Sequence, residues 1–468
     1  MFRTLILNLC KAPKLYINGL KYYGGNMAIH LSDHFSYTKL LRFTFPAMVM
    51  MVFTSLYGVV DGLFVTNYAG KSALAAINFV YPILNILAIF GYMFGAGGSA
   101  LVAKTLGEGK KDKSVELFSL FVYISFLLGV LFAVLGFPLI GTLMSKLGAD
   151  GMMLEQATLY GRILLITMPF WNLQFLFQIF FVTAEKPKLG LYVTLAAGIA
   201  NMVLDALFIA VFKWGITGAA VATAISQLIG GGLPLVYFFR KNTSLLNLGK
   251  TRFDAKATIK ACFNGSSELV NGLSGSLVGI LFNTQLMNYV GEDGVAAYGI
   301  MMYVTMIFIG IFFGYTNGAA PIIGYHYDAN NYYELKNLLR KGIVLTSAAS
   351  FLMLALSELF AVPLSELFAG YDVKLFNLTL SGFRIYAISF LFSGFSIFGS
   401  SFFTALNNGL ISATISFART VIFQVGCVLI FPILWGIFGI WLSLVVAEVL
   451  AVLVTVFFIL AMRSAYQY

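Results

Sequence analysis

The residues best suited to chemistry are two aspartates set inside long apolar runs. Asp61 lies in LYGVVDGLFVTNYAG and Asp205 in LAAGIANMVLDALFIAVF. A carboxylate at bilayer depth costs roughly 2.5–3.5 kcal/mol on insertion scales, so it faces a bundle interior or an ion pathway rather than lipid. Each aspartate has a polar residue one helical turn earlier, Tyr57 before Asp61 and Asn201 before Asp205. Residues four apart share a helix face. Thr223 and Gln227 repeat the spacing, as do Gln174 and Gln178. Four apolar segments thus carry polar stripes too costly to face lipid, and the stripes are expected to converge on one interior cavity.

The inventory defines the chemistry. Asp61, Asn201, Asp205 and Thr223 offer two carboxylates, an amide and a hydroxyl, an oxygen cage suited to a hard cation. Two carboxylates in contact can also share a proton, which then belongs to the pair. The competing reading is structural: an intramembrane aspartate can lock helices by bonding to Asn or Tyr, and Gln174 and Gln178 can act as glue between helices. Glu268, in NGSSELVNGLSGSLVGILFNTQL, reads as a cavity-facing anion for a cationic substrate, with Asn283 further along; the alternative is that it caps its segment. Tyr57, Gln174, Gln178, Glu268 and Asn283 form the expected substrate cavity. Glu448 also lies in an apolar run, where a structural hydrogen bond explains it equally well.

Composition fixes what must position these residues. The chain has 468 residues, 60% of them hydrophobic and 10% charged, with a mean hydropathy of +0.89. Soluble domains carry about 25% charged residues, so lipid is the solvent for most of this chain. The apolar runs are continuous rather than alternating, which predicts helices and not a β-barrel. The runs predict spans near 40–66, 74–103, 116–143, 157–184, 189–212, 217–239, 258–288, 294–325, 335–361, 379–405, 409–434 and 438–462. The expected organisation is a cytoplasmic extension over 1–38, a lobe of six spans over 39–240, a linker over 241–257, a second six-span lobe over 258–462 and a tail over 463–468.

The two halves repeat at an offset of 221 residues. Asn67, Tyr68 and Gly70 recur as Asn288, Tyr289 and Gly291, and Trp214-Gly215-Ile216 recurs as Trp435-Gly436-Ile437. Equal halves of even span number keep one orientation, so a pseudo-two-fold axis along the membrane normal follows, the mark of many secondary transporters. The cage does not repeat: Asp61, Asn201, Asp205 and Thr223 map onto Phe282, Ile422, Gly426 and Leu444. Of the 29 Lys and Arg residues, 22 fall on one side of the predicted spans and four on the other. This bias puts both termini in the cytoplasm. It also accounts for the net charge of +10 without nucleic acid. No P-loop, Gly-x-Ser-x-Gly elbow or HExxH motif is present, so neither ATP hydrolysis nor a familiar enzyme chemistry is encoded.

Residues 35 to 462 resemble the multidrug and toxic compound extrusion (MATE) family, in its bacterial DinF/MepA-like branch. The likeness rests on FPAMVMMVFTSLYGVVDGLFVTNYAG, GSALVAKTLGEGKKD, TAEKPKLG, NMVLDALFIAVFKWGITGAAVATAISQ and TALNNGLISATISFARTVIF. It implies an all-α polytopic membrane protein with twelve transmembrane helices in two pseudo-symmetric six-helix lobes, the MATE/MOP fold. It further implies a secondary transporter, not an enzyme. Such a protein exports amphipathic, mostly cationic organic compounds in exchange for Na+ or H+ by a rocker switch, needing no cofactor beyond the coupling ion. Matching positions carry the Na+ or proton site to Asp61, Asn201, Asp205 and Thr223. The expected setting is the bacterial inner membrane, with small organic cations and lipids as partners and a monomeric working unit. The competing function within the superfamily is a flippase for lipid-linked sugars, which needs a basic cavity; an intramembrane enzyme is the reading from another class.

Overall fold

The structure is a computed structural model that describes residues 29–370 and 372–468. Of the extension expected over 1–38, residues 1–28 lie outside the described residues. Every regular element among the described residues is helical. The first half comprises α1 (Tyr37–Ala69), α2 (Ser72–Gly107), α3 (Lys111–Lys146), α4 (Gly151–Thr183), α5 (Pro187–Val211) and α6 (Gly215–Phe239). The second comprises α7 (Ala255–Tyr289), α8 (Glu292–Asp328), α9 (Tyr332–Ala369), α10 (Val373–Ala387), α11 (Phe390–Ala405) and α12 (Gly409–Ala461).

These helices give the expected twelve crossings, with one correction. Among the described residues nine are long and apolar enough to cross a membrane, α12 included. The 53-residue α12 is two crossings, because Gly436 breaks it with φ 56° and ψ −134°. α7 is long enough but diluted by Ser, Asn and Glu268. The span expected as one piece over 379–405 is broken: α10 and α11 meet at a bend of 44°. No proline or glycine lies between Ala387 and Phe390 to announce it.

The repeat is visible in the backbone. Positive φ occurs at Gly70 and Gly291, at Gly215 and Gly436, and at Gly109 and Asn330, each pair 221 apart. Glycine and asparagine are the residues that enter this region at least cost, so the two halves turn at matching places. Interiors differ, however. Phe282, the counterpart of Asp61, is buried and stacks on Tyr298 at 5.0 Å between ring centres. Leu444, the counterpart of Thr223, joins the same apolar cluster.

The halves touch through α1 with α8 and α2 with α7. A Cβ on Gly314 would stand 2.3 Å from the Met48 Cα, and one on Gly265 would stand 2.0 Å from the Met93 carbonyl oxygen. Only glycine permits that approach. Toward the other end of the same helices, Gly58, Gly62, Gly275, Gly279 and Gly299 have no such neighbour within 4 Å. The halves therefore close at one end and part at the other, forming a cleft that opens toward the 62–70 and 275–289 ends. The closed end is fastened by an ion pair of 2.8 Å between Lys104 and Asp328.

A short strap adds to the fastening. Leu31 and Phe35 are fully buried. The Glu185 carboxylate meets the His30 Nδ1 at 2.7 Å and accepts the Leu31 N–H at 2.6 Å. Glu334 repeats the arrangement with His34 and the Phe35 N–H. The strap thus ties the end of α4 to the start of α9, and so bridges the two halves.

Candidate cation and substrate site

The four cage residues are brought together inside the first half. Asp61 of α1 and Asp205 of α5 place their carboxyls within hydrogen-bonding reach of each other. Asn201 and Asp205 are buried on one face of α5. Thr223 comes from α6, beside the buried Tyr160 of α4. Tyr57 and Tyr81 complete the surroundings of Asp61.

Local sequence explains the convergence. Gly198 sits on α5 where a Cβ would lie 2.4 Å from Phe53 and 2.8 Å from Tyr57. Its missing side chain lets the aromatic face of α1 settle on α5, which sets Asp61 against Asp205. Both carboxylate helices then widen into π turns, at Val65–Ala69 and at Ala206–Val211. Such turns re-aim side chains and occur preferentially at functional sites.

The electrostatics are unfinished without a ligand. Buried and unpartnered polar atoms include Asp61 Oδ1, both Asp205 carboxylate oxygens, Asn201 Nδ2 and Thr223 Oγ1. Buried polar atoms are nearly always paired in folded proteins, and an orphaned charge is costlier still. Asp61, Asp205 and Thr223 leave unpartnered oxygens that fit a small cation or a proton shared by the carboxyls, and Asn201 leaves an amide nitrogen that can donate to a carboxylate. Among the described residues no group of three His, Cys, Asp or Glu side chains forms a metal cluster. A cation here would draw on hydroxyl and amide oxygens as well as carboxylates.

The substrate-cavity residues divide. The Tyr57 hydroxyl meets the Gln174 amide. Gln174 and Gln178, both buried, line a small cavity between α4, α5 and α6 with Thr194 and Gly230. They belong to the wall of the first half, and Gln178 Nε2 is unpartnered. Glu268 is buried more than three turns inside α7, whose cap is Asp254, so it does not cap its helix. It lies beside Asn271 and Tyr92, and Tyr92 in turn accepts a hydrogen bond from Asn317 of α8. Glu268 therefore stands where the halves meet, at the base of the cleft. Asn283 is exposed on the outer part of α7, roughly 22 Å further along the helix, and is not brought to Glu268.

Two further polar residues of the apolar runs, Gln227 and Glu448, find protein partners. Gln227, on the Thr223 stripe, accepts a hydrogen bond from Thr167 at 2.6 Å. Glu448 is paired with buried Arg419, Nη2 to Oε1 at 2.8 Å, and accepts further bonds from Gln424 and Ser396. Arg419 lies on a third π turn, Ala418–Gln424. This fully satisfied cluster supports the structural reading of Glu448. Its only signal in the sequence is a pair of opposite charges in neighbouring apolar runs.

A polytopic helical bundle, a two-fold repeat and an acidic pocket in one half define a membrane transporter. Residues 46–207 and 270–429 match the MatE family, and the chain belongs to it. It is similar to the multidrug export protein MepA of Staphylococcus haemolyticus, 27% identical over 92% of this chain and 94% of that protein. MepA of Staphylococcus aureus strain NCTC 8325 is 23% identical over the same shares. In fold it is similar to an outward-facing structure of a multidrug resistance MATE family transporter, with a TM-score of 0.87, 23% identity, and coverage of 93% of this chain and 97% of that one. The protein is accordingly a multi-pass membrane transporter of the MATE family and not an enzyme.

Proposed function

We propose that the chain exports amphipathic, mostly cationic organic compounds from a bacterial cell in exchange for inward-moving Na+ or H+. The observation that carries this reading is the cage itself: Asp61, Asn201, Asp205 and Thr223 gather in one place and each leaves a buried polar atom without a partner. Binding one cation there neutralises charge inside the first half. It draws α1 toward α5, and the resulting change in the wall of the cleft expels the drug. Glu268 and Tyr92, at the base of the cleft, supply an anion and an aromatic face for a cationic substrate. The positive loops put the closed, strapped end in the cytoplasm, so both termini are cytoplasmic and the cleft faces outward. A membrane potential of 100 mV adds about 2.3 kcal/mol per charge moved inward.

A lipid-linked sugar substrate is disfavoured because the buried base Arg419 is already neutralised by Glu448. The test is competition between ligands. Binding of a fluorescent cationic dye to purified protein is titrated with Na+ and, separately, with acid. One of them should displace the dye from the native protein and not from Asp61→Asn. Displacement unchanged in Asp61→Asn would refute the role of the cage.

A further inference from the structure

A groove in the second half has no part in the transport cycle described above. It lies between the first turns of α9 and the last turn of α12, with a volume of about 290 Å³. Its wall is apolar, formed by Leu339, Ile343 and Ile459 among others. Its mouth carries three bases: Lys336 and Arg340, one turn apart on α9, and Arg463, just beyond α12. All three are exposed, and among the described residues none has an ion-pair partner. The nearest acid in sequence, Glu334, is turned away and held by His34 and the Phe35 N–H.

Water can solvate the three cations but leaves the apolar wall wet. Hydrocarbon suits the wall but leaves the cations without a counter-charge. A molecule with an anionic head and an apolar chain satisfies both. The groove also lies at the level where such molecules are concentrated, on the side of the bilayer that carries the positive loops. Basic pockets between helices at this level attract anionic headgroups, worth about 1 kcal/mol per Lys or Arg near the surface. We propose that the groove binds one anionic phospholipid, with its phosphate at Lys336, Arg340 and Arg463 and an acyl chain along Leu339, Ile343 and Ile459.

The experiment is native mass spectrometry of the full-length protein in neutral detergent, titrated with phosphatidylglycerol or with phosphatidylcholine of the same chains. The first phosphatidylglycerol should bind at least fivefold more tightly than phosphatidylcholine. The triple variant Lys336→Gln, Arg340→Gln, Arg463→Gln should lose that preference. A second triple variant, Lys241→Gln, Lys250→Gln, Arg252→Gln, removes equal charge from the same side and should keep it. Ile343→Trp fills the groove with the bases intact and should weaken phosphatidylglycerol binding at least fivefold. The proposal is overturned if the first triple variant keeps the preference, or if both triple variants lose it alike. Unchanged binding to Ile343→Trp, or displacement of the lipid by an equal concentration of inorganic phosphate, would also overturn it.

Discussion

The carboxyl groups of Asp61 and Asp205 stand within hydrogen-bonding reach of each other, although they come from different helices. Two negative charges cannot share a buried site without a compensating cation or proton. The unpartnered oxygens on both residues show that no protein donor supplies the compensation. Replacing either acid by Asn halves the charge of the cage without changing its shape. Asp205→Asn should therefore weaken ion binding roughly a hundredfold, about 2.7 kcal/mol, while the protein still folds and inserts. The midpoint of ion-induced dye displacement checks this.

Gly198 controls how closely α1 lies against α5. A valine there would collide with Phe53 and Tyr57, an overpacking that costs about 1–3 kcal/mol. The relief is to push α1 outward and carry Asp61 away from Asp205. Gly198→Val should raise the ion concentration needed for displacement at least tenfold and leave dye affinity in the absence of the ion within twofold. Equilibrium dye binding measures both quantities.

The closed end of the molecule is held by Lys104 with Asp328 and by the strap on Glu334. Cys262 lies on α7 beside Ala261, whose carbonyl oxygen is 2.0 Å from where a Gly97 Cβ would stand, so it reports on separation of the halves there. Asp328→Asn removes a partly buried pair worth about 1 kcal/mol. In a background of Cys10→Ser and Cys427→Ser, Asp328→Asn should speed alkylation of Cys262 roughly fivefold. Glu334→Gln, which weakens the charge-assisted bonds to the strap, should act in the same direction.

Arg419 and Glu448 make a buried pair with every oxygen of the carboxylate occupied. Breaking such a pair on one side strands the other charge at a cost of about 3–5 kcal/mol, whereas replacing both by apolar residues is often neutral. Arg419→Met should therefore lower thermal stability in detergent sharply, and the double variant Arg419→Met, Glu448→Leu should recover most of it. Transport by the double variant should persist, because the pair is structural.

Much of this was legible in the chain because charge is rare in it. Asp61 and Asp205 stand out against apolar neighbours, and the 221-residue register is written in glycines whose positive φ the turns require. The tyrosines around Asp61 gave no such contrast: Tyr81 and Tyr160 are two of 24 tyrosines. The bend between α10 and α11 has no proline or glycine to mark it; the chain passes it through turn bonds from the Ile388 N–H to the Ile385 carbonyl and from the Ser389 N–H to the Tyr386 carbonyl. The strap was hidden for a different reason. Its apolar content is only Ile29, Leu31 and Phe35 among the described residues, and its anchors Glu185 and Glu334 are far away in sequence. Arg419 and Glu448 each looked like an isolated charge until the fold paired them.

The most direct measurement is gradient-driven efflux from liposomes holding the reconstituted protein and a cationic dye. Sodium and proton gradients are imposed separately, with native protein and with Asp61→Asn. One of the two gradients should move the dye through the native protein, against no detectable movement through the variant. Dye movement through Asp61→Asn at the native rate would contradict the account.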